Sequence, residues 1–373
     1  MDTGGRTATG AGTGAGTAAG AVAGPAAGGA GGAGATTLED VARAAGVSRA
    51  TVSRVVNGVR NVDPAIQEAV RRAVASTGYV PNRAARSLVT RRSGTVALVV
   101  CGAGHEPIGG RDEFTADVFQ DPFFGRVVSG VVRALRPRGV HPVLMFADGA
   151  EDRAEVLAYL AQGNADGALL ATTRPRDPLP GMLAGAGLPA VLFARPAAGV
   201  PIDHVDLLHR EGGALAARHL LARGCRRLAA IGGPADVPAS RERLAGFREA
   251  AGGRVRVAEG DFTLDGGERA MRRLLAEQPG LDAVFAANDL MAHGACLVLA
   301  EHGRRVPDDV AVVGFDDSSA AAACRPRLTT VRQPVEDMAA EMVRLLLDRV
   351  TGAAGVEPEA VLFVPELVIR ASA

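Results

Sequence analysis

Seven apolar runs alternate with helical patterns between residue 95 and the C-terminus, and this alternation restricts the fold more than any other feature. A continuous apolar run such as Val96–Val100 is typical of a strand buried on both faces of a parallel sheet. Repeated strand–helix alternation predicts an α/β body with parallel sheets, and its length favours two sheets of about six strands over one of twelve. The predicted strands span residues 96–100, 142–146, 167–170, 190–193, 227–231, 283–286 and 310–313, and the predicted helices span residues 124–138, 152–162, 210–223, 240–251, 264–277, 288–302 and 335–350.

A separate pattern of three short amphipathic helices precedes this body, within Thr37–Leu88. Thr37 and Asp40 have the spacing of a capping box, which opens the first helix. Gly46 supplies a turn, and Ser48 is placed to cap the second helix. An Asp-Pro pair further along begins the third helix. Two short helices joined by a tight glycine turn are the signature of a helix-turn-helix.

The second of these helices has the properties of a recognition helix. Val52 and Val55 occupy its buried face, so Arg49, Ala50 and Arg54 must point outward near its N-terminal end. Recognition helices contact base edges with that end. An arginine in this position favours guanine, whereas an alanine offers only a methyl contact. The alternative is a basic face that is merely solvated.

Five ordered sequence blocks in this segment resemble the DNA-binding headpiece of the LacI/GalR (lactose-repressor) family of bacterial transcription regulators. The blocks are Leu38-x-Asp40-Val41-Ala42, Ala45-Gly46-Val47-Ser48, Thr51-Val52-Ser53-Arg54-Val55-x-Asn57, Gly78-Tyr79-x-Pro81-Asn82 and Ala85-Arg86-Ser87-Leu88. A helix-turn-helix alone is a weak signal, but five blocks at the family's spacing are specific. The resemblance implies a small all-α helix-turn-helix headpiece and an α/β, periplasmic-binding-protein-like body. That body would have two Rossmann-like lobes, three crossovers and a ligand in the cleft.

The resemblance also implies a homodimer that binds double-stranded operator DNA. It places the hydroxyl and amide side chains of the recognition helix near phosphates, and it lets a packed tyrosine touch a phosphate. It further implies that residues 82–89 form a hinge helix only when two copies meet over the operator, with Leu88 as a wedge between base pairs. The alternative is that Leu88 is an ordinary linker residue. The predicted DNA-binding residues are Ser48, Arg49, Ala50, Thr51, Ser53, Arg54, Asn57, Tyr79, Asn82 and Leu88.

Composition and charge divide the chain into four predicted segments. Residues 1–35 are almost entirely Gly, Ala and Thr, which cannot bury enough apolar surface to order, so a disordered tail is expected. We predict a helix-turn-helix domain at 36–81, a hinge helix and linker at 82–93, and an effector-binding and dimerisation domain at 94–373. The stretch 36–93 holds ten Arg against four acidic residues, a net charge of +6 in a chain whose formal net charge is zero. A basic module on a mildly acidic body is typical of a DNA binder with a separate sensing domain.

Polar and aromatic residues follow several predicted strands, and in open α/β sheets ligands bind beyond the carboxyl ends of the strands. Arg, Asn and Asp side chains there offer paired donors and acceptors that match vicinal hydroxyls. Phenylalanine rings offer flat faces to a sugar or a base. The effector is expected to be a sugar or sugar derivative, with a nucleobase as the alternative. The predicted effector-binding residues are Phe123, Phe124, Arg243, Phe262, Asn288 and Asp316.

Several of these residues also have a purely structural interpretation. Phe123 or Phe124 could belong to the core, and Asn288 could simply cap its helix. Four features depart from the family pattern: an insertion at residues 102–119, Ala194 where Asp is common, Cys225 where His is usual, and Asp121 in place of Asn. The absent carboxylate means that the effector cannot be inferred from any one sugar-binding relative.

Three classes of protein compete on this sequence. The leading one is a ligand-controlled transcriptional repressor. A solute-binding receptor would suit the two-lobed body, but the headpiece and the absence of a signal-peptide pattern oppose it. An enzyme is not expected, because no nucleophile elbow, P-loop or metal-ligand spacing occurs. Four scattered cysteines argue against a structural zinc, and we expect no cofactor. No apolar window reaches membrane length, so we expect no membrane partner and a cytoplasmic, nucleoid-associated protein.

Overall fold

The structure, a computed structural model, describes residues 36–57, 61–80, 92–101, 120–172, 177–253 and 255–373. The chain divides into two compact units, Met1–Pro81 and Asn82–Ala373. The predicted tail at 1–35, the insertion at 102–119 and most of the predicted hinge, including Asn82 and Leu88, lie outside the described residues.

Three short helices form the described part of the first unit: α1 (Leu38–Ala45), α2 (Arg49–Val56) and α3 (Pro64–Thr77). Thr37 and Asp40 form the predicted capping box, and Ser48 accepts from the Thr51 backbone N–H at the start of α2. The turn between them needs a left-handed residue, and Gly46 has a φ of 67°. The helices enclose a small core of Val41, Ala42, Val52, Val70, Ala73 and Tyr79. These observations confirm the predicted helix-turn-helix.

The strands in the first lobe of the second unit are β1 (Thr95–Cys101), β2 (His141–Phe146), β3 (Ala168–Thr172), β4 (Ala190–Phe193), β5 (Asp203–Leu207) and β11 (Ala360–Phe363). They form a six-stranded parallel sheet in the order β11-β5-β4-β3-β1-β2. Its helices are α4 (Pro122–Leu135), which continues as a 3-10 turn (Arg136–Arg138), α5 (Ala150–Ala161), α6 (Leu179–Gly185) and α12 (Val335–Thr351). Apolar residues pack on both faces of the sheet, as the uninterrupted runs predict.

The second lobe repeats this architecture with the strands β6 (Leu228–Gly232), β7 (Arg256–Glu259), β8 (Ala283–Ala286), β9 (Ala311–Asp316), β10 (Thr329–Arg332) and β12 (Glu366–Val368). Their order in the sheet is β12-β10-β9-β8-β6-β7, and β12 alone runs antiparallel to its neighbour. Its helices are α7 (His209–Ala222), α8 (Pro238–Ala251), α9 (Leu264–Glu277), α10 (Asp289–Glu301) and α11 (Ser319–Ala323).

The chain passes between the lobes three times, after β5, after β10 and after β11. The predicted pair of six-stranded sheets and the three crossovers are therefore confirmed. Each crossover leaves a strand at its carboxyl end, so the connecting segments lie where a ligand of an open α/β sheet would bind.

Five strands were not predicted from the sequence: β5, β7, β10, β11 and β12. All are short, and most carry polar or charged residues instead of a continuous apolar run. Asp203 opens the buried strand β5 and is only 3% exposed. Arg349 donates to both of its carboxylate oxygens, at 2.8 and 2.6 Å, and the Glu359 backbone N–H donates at 2.7 Å. A buried carboxylate with its lone pairs satisfied in this way is tolerated inside a sheet.

Candidate functional site

A cavity of about 640 Å³ lies between the two lobes, at the carboxyl ends of strands from both sheets. The first lobe contributes residues after β3, β4 and β5, and the second contributes residues after β7, β8, β9 and β10. Its polar lining residues include Asp121, Asp206, His209, Arg243, Asn288, Asp316 and Gln333, and its aromatic ones are Phe123, Phe193 and Phe262. A mostly apolar pocket with a few convergent polar groups has the form of a small-molecule site.

Arg243 on α8 is the most highly connected polar side chain of this cavity and is only 6% exposed. One face of its guanidinium stacks on the Phe315 ring, with 3.8 Å from Cζ to the ring centroid. Its N–H groups donate to four acceptors on four different elements: His209 Nδ1 at 3.2 Å, Ala287 O at 2.6 Å, Asp316 Oδ1 at 3.0 Å and Gln333 Oε1 at 2.9 Å. The guanidinium is therefore held in one orientation before any ligand arrives.

Asp316 ends β9 and faces Arg243 across the cavity wall. Burial raises the pKa of Asp316 to about 6, with Asp121 adding to the rise and Arg243 opposing it. Burial also raises the pKa of Asp121, which caps α4 by accepting from the Phe123 backbone N–H at 2.9 Å. Two carboxyl groups with raised pKa values beside a buried arginine form an electrostatically strained site of the kind that binds ligands.

Arg126 on α4 ties the first lobe to the strand ends that carry these cavity residues. It donates to the backbone carbonyls of Asp316 at 2.8 Å and Gln333 at 3.0 Å. It also makes a bidentate pair with Glu336 at the start of α12, at 2.8 and 2.7 Å. A displacement of Asp316 or Gln333 would therefore disturb the hydrogen bonds of Arg126, which connects α4 and α12 of the first lobe.

Strained backbone is concentrated at this cavity. Four non-glycine residues of the described chain have positive φ, and three of them, Ala194 (108°), Phe262 (68°) and Asp316 (105°), line the cavity. Such conformations cost about 1–3 kcal/mol each and persist where the surrounding structure enforces them. The fourth, Asp317, does not cap α11. Ser318 caps that helix, and Asp317 pairs with Arg332 and Arg370.

Five of the six predicted effector-binding residues line this cavity. Phe123, Arg243, Phe262, Asn288 and Asp316 lie there, whereas Phe124 does not. Phe124 is 4% exposed and belongs to the core, where its ring meets that of Phe123 edge to face at 5.2 Å. Consecutive residues at the start of α4 cannot both face the cavity, because the helix turns by about 100° at each residue.

Asn288 combines the two roles considered for it. Its side chain caps α10 by accepting from the Met291 backbone N–H at 2.9 Å. Its amide donates to the Phe262 carbonyl at 2.8 Å, which helps to hold the positive φ of that residue. Asn288 is therefore a structural cap and a cavity residue at once.

The sequence interpretation missed Asp206, His209 and Gln333. Asp206 lies near the carboxyl end of β5 and Gln333 directly follows β10, and neither strand was predicted. His209 is the first residue of α7, one position before the predicted helix start. A polar residue at the end of a strand is the sequence signal for such a cavity residue, and it identified Asp316. It could not identify Asp206 or Gln333, because their strands had not been predicted.

In the first unit, Ser48, Arg49, Ala50 and Arg54 are exposed, and Thr51, Ser53 and Asn57 are partly exposed. Ala50 and Arg54 lie on the face of α2 opposite the buried Val52, whereas Ser48 and Asn57 cap the two ends of the helix. Arg49 also pairs with Glu39 of α1 at 3.0 Å, with both side chains more than half exposed. Tyr79 is buried in the small core, which agrees with its predicted packing role. No helix in the described segments is long and apolar enough to cross a bilayer.

A helix-turn-helix unit joined to a two-lobed body with an interlobe cavity is the architecture of a DNA-binding transcriptional regulator. Comparison with known proteins agrees. Residues 37–82 match the lacI family of bacterial regulatory proteins, and residues 217–373 match a periplasmic binding protein-like domain. The HTH-type transcriptional regulator CelR of Thermobifida fusca is 48% identical over 345 residues, which cover 90% of this chain and 98% of that protein. The chain belongs to the LacI family of bacterial regulatory proteins.

Other relatives and solved structures are consistent with this membership. The ribose operon repressor of Escherichia coli (strain K12) is 34% identical over 84% of this chain and 93% of its own length. A structure of the CelR–cellobiose complex matches with a TM-score of 0.68 and 45% identity, covering 91% of this chain and 100% of that one. The Lac repressor bound to ONPG in its repressed state matches with a TM-score of 0.73 and 28% identity over the same share of each chain. These relatives are transcriptional regulators or repressors.

Proposed function

We propose that this regulator represses transcription as a homodimer and that a sugar of the cellobiose class binds in the interlobe cavity and changes its affinity for operator DNA. The observation that carries the sugar assignment is the fixed Arg243–Asp316 pair at one wall of the cavity. Groups of this kind form paired hydrogen bonds with neighbouring hydroxyls. A relative with 45% identity has been solved in complex with cellobiose.

The shape and lining of the cavity also suit a sugar. Its volume of about 640 Å³ falls within the range of about 300–1,000 Å³ that is usual for small-ligand sites. Phe123 and Phe262 offer ring faces to the apolar side of a pyranose. Ala194, at the position where a carboxylate is common in the family, leaves part of the first lobe's wall uncharged. The nucleobase alternative gains no comparable support.

A thermal-shift screen of the full chain tests the sugar assignment. Cellobiose should raise the unfolding midpoint in proportion to the logarithm of its concentration over Kd, whereas glucose, ribose and adenine at equal concentration should raise it less. The stabilising sugar should also change operator affinity, and operator DNA must change the affinity for that sugar by the same factor. A sugar that shifts the midpoint without changing operator binding would contradict the regulatory proposal.

We further propose that Arg54 contributes to sequence recognition. The operator is first selected from a random duplex library with the full chain. Arg54→Ala should then weaken binding to the selected duplex by about 1–3 kcal/mol, because one bidentate base contact contributes that much discrimination. Binding to a random duplex at the same salt concentration should change much less.

The matched control is Arg71→Ala on α3, an exposed arginine that pairs with Glu68 within the same unit. It removes the same charge away from the recognition helix, so it should leave the ratio of selected to random affinity unchanged. An equal loss on both duplexes for Arg54→Ala would assign Arg54 to phosphate contact instead of base recognition.

We also propose a separate role for each segment of the chain. Residues 36–81 would contact DNA, 82–93 would form the hinge between two copies, and 94–373 would bind the effector and form the dimer. Such a regulator acts on the chromosome, so we place it in the cytoplasm with the nucleoid.

A further inference from the structure

We propose that His209 is the positioning residue of the effector site: its unprotonated Nδ1 holds Arg243 in the orientation that binds the sugar, and protonation of His209 weakens binding. The inference rests on the proposed function, because it assumes that Arg243 contacts an effector. It adds a residue and a form of control that the sugar assignment does not contain.

A guanidinium has five N–H donors and no acceptor. Arg243 donates four of them to protein acceptors in the structure: His209 Nδ1, Ala287 O, Asp316 Oδ1 and Gln333 Oε1. One N–H, on Nη2, is left for an effector. The backbone carbonyl and the glutamine amide accept at every pH. The histidine nitrogen accepts only while it carries no proton.

The contact with Arg243 also determines the tautomer of His209. Because arginine cannot accept, the lone pair must be on Nδ1, so the proton of neutral His209 is on Nε2. Nε2 lies 3.3 Å from Asp206 Oδ1 at the end of β5. The imidazole is 8% exposed, and each of its ring nitrogens faces one of these two partners. Asp206, His209 and Arg243 thus form a chain from a strand of the first lobe to a helix of the second.

Protonation would place an N–H of His209 against the Nε–H of Arg243 and a second positive charge beside a buried guanidinium. The charged groups that face His209 are Asp206 from β5, Arg243 and Glu242 from α8, and Arg195 after β4. Burial lowers the pKa of His209, and Arg243 lowers it further, while the contact with Asp206 opposes the shift. His209 is therefore neutral at physiological pH and charges only on acidification.

A measurement without ligand tests the tautomer. Long-range ¹H–¹⁵N spectra of the full chain with ¹⁵N-labelled histidine resolve the two ring nitrogens, and His209→Asn assigns the signal by its loss. We expect an unprotonated Nδ1 and a protonated Nε2 that persist at pH 6.5, where a free imidazole is about half protonated. A protonated Nδ1 at pH 7.5 would overturn the proposal whether or not any sugar binds.

A calorimetric titration with cellobiose tests the consequence for binding. At pH 7.5, His209→Leu should weaken cellobiose binding about tenfold or more, because a buried charged donor loses its acceptor. His209→Asn places a non-titrating oxygen where Nδ1 lay, so it should bind within about threefold of the wild type. Far-UV circular dichroism and the unfolding midpoint of each variant establish that it is folded.

The pH profile separates positioning from a general structural role. The pH is lowered until the imidazole spectrum shows protonation of His209. Over that range the wild type should lose more affinity than His209→Asn, since both proteins contain the titrating Asp316 and only the wild type contains the imidazole. Parallel profiles for the two proteins, or normal binding by His209→Leu, would contradict the proposal. If the wild type does not bind cellobiose at any pH tested, the sugar assignment is wrong. The imidazole spectrum alone then decides the role of His209.

Discussion

Replacing Gly213 with alanine is expected to destabilise the second lobe by about 3 kcal/mol or more, because the new methyl group has no space. A Cβ at 213 on α7 would lie 1.9 Å from the backbone oxygen of Arg243 on α8. Reciprocally, a Cβ at Gly246 would lie 1.8 Å from the backbone oxygen of Arg210. The two helices therefore touch backbone to backbone, and neither contact can be relieved by rotating a side chain.

The unfolding midpoint in a chemical denaturant measures this loss. The matched control is Gly125→Ala in α4, a helical glycine whose added Cβ meets nothing within 4 Å. That variant should be neutral or more stable by about 0.5–1 kcal/mol, since alanine restricts the unfolded chain. Equal stability of the two variants would show that α7 and α8 do not approach as closely as described.

The same substitution should impair the effector site. The helix contact at Gly213 involves the backbone of Arg243 itself, and it fixes the start of α7 beside α8. Separation of the helices would lengthen the 3.2 Å contact between Arg243 Nε and His209 Nδ1. Any Gly213→Ala protein that folds should therefore bind its sugar more weakly than the Gly125→Ala control.

Replacing Arg243 with methionine is the second change with a large expected effect. Removal of one partner from a buried ion pair leaves the Asp316 carboxylate and the Gln333 side-chain oxygen without their donor, which costs about 3–5 kcal/mol. Methionine retains much of the apolar stem, so most of the loss would come from the missing hydrogen bonds and charge. The pKa of Asp316 should rise further without Arg243, so the variant should lose less stability at pH 5 than at pH 8.

Sugar binding should be lost in this variant, while operator binding without sugar should remain, because the helix-turn-helix unit has its own core. The control is Arg248→Met, an exposed arginine on the same helix, α8, which should change stability by no more than about 0.5 kcal/mol. Denaturant titration and a cellobiose titration check both outcomes. If the Arg243→Met protein still binds the sugar, Arg243 is not an effector-binding residue.

Local chemistry explains which elements were predictable. The capping box at Thr37, the cap at Ser48 and the glycine turn at Gly46 each involve residues within a few positions of one another, so their spacing predicts them directly. The central strands are also local signals, because burial on both faces requires an apolar run. The edge strand β7 lacks that run because its Arg256 and Glu259 are exposed to solvent. The crossover strand β5 lacks it because Asp203 is satisfied by Arg349, far away in the chain.

The candidate site divides in the same way. Arg243, Asn288 and Asp316 each follow a predicted strand, and this position indicated a ligand site without any structure. Phe123 and Phe124 could not be separated by sequence, because only the orientation of α4 decides which ring faces the cavity. The importance of His209 was not visible, since an isolated histidine at a helix start has no distinctive pattern.

The sequence by itself determined the class of protein: a helix-turn-helix with its caps, an α/β body of two sheets, and the family to which both belong. Only the tertiary structure decided which groups meet. Arg243 finds its four acceptors 34, 44, 73 and 90 residues away. Periodicity and spacing carry information over a few turns of helix, whereas a buried guanidinium must be satisfied by whatever the packed lobes bring to it.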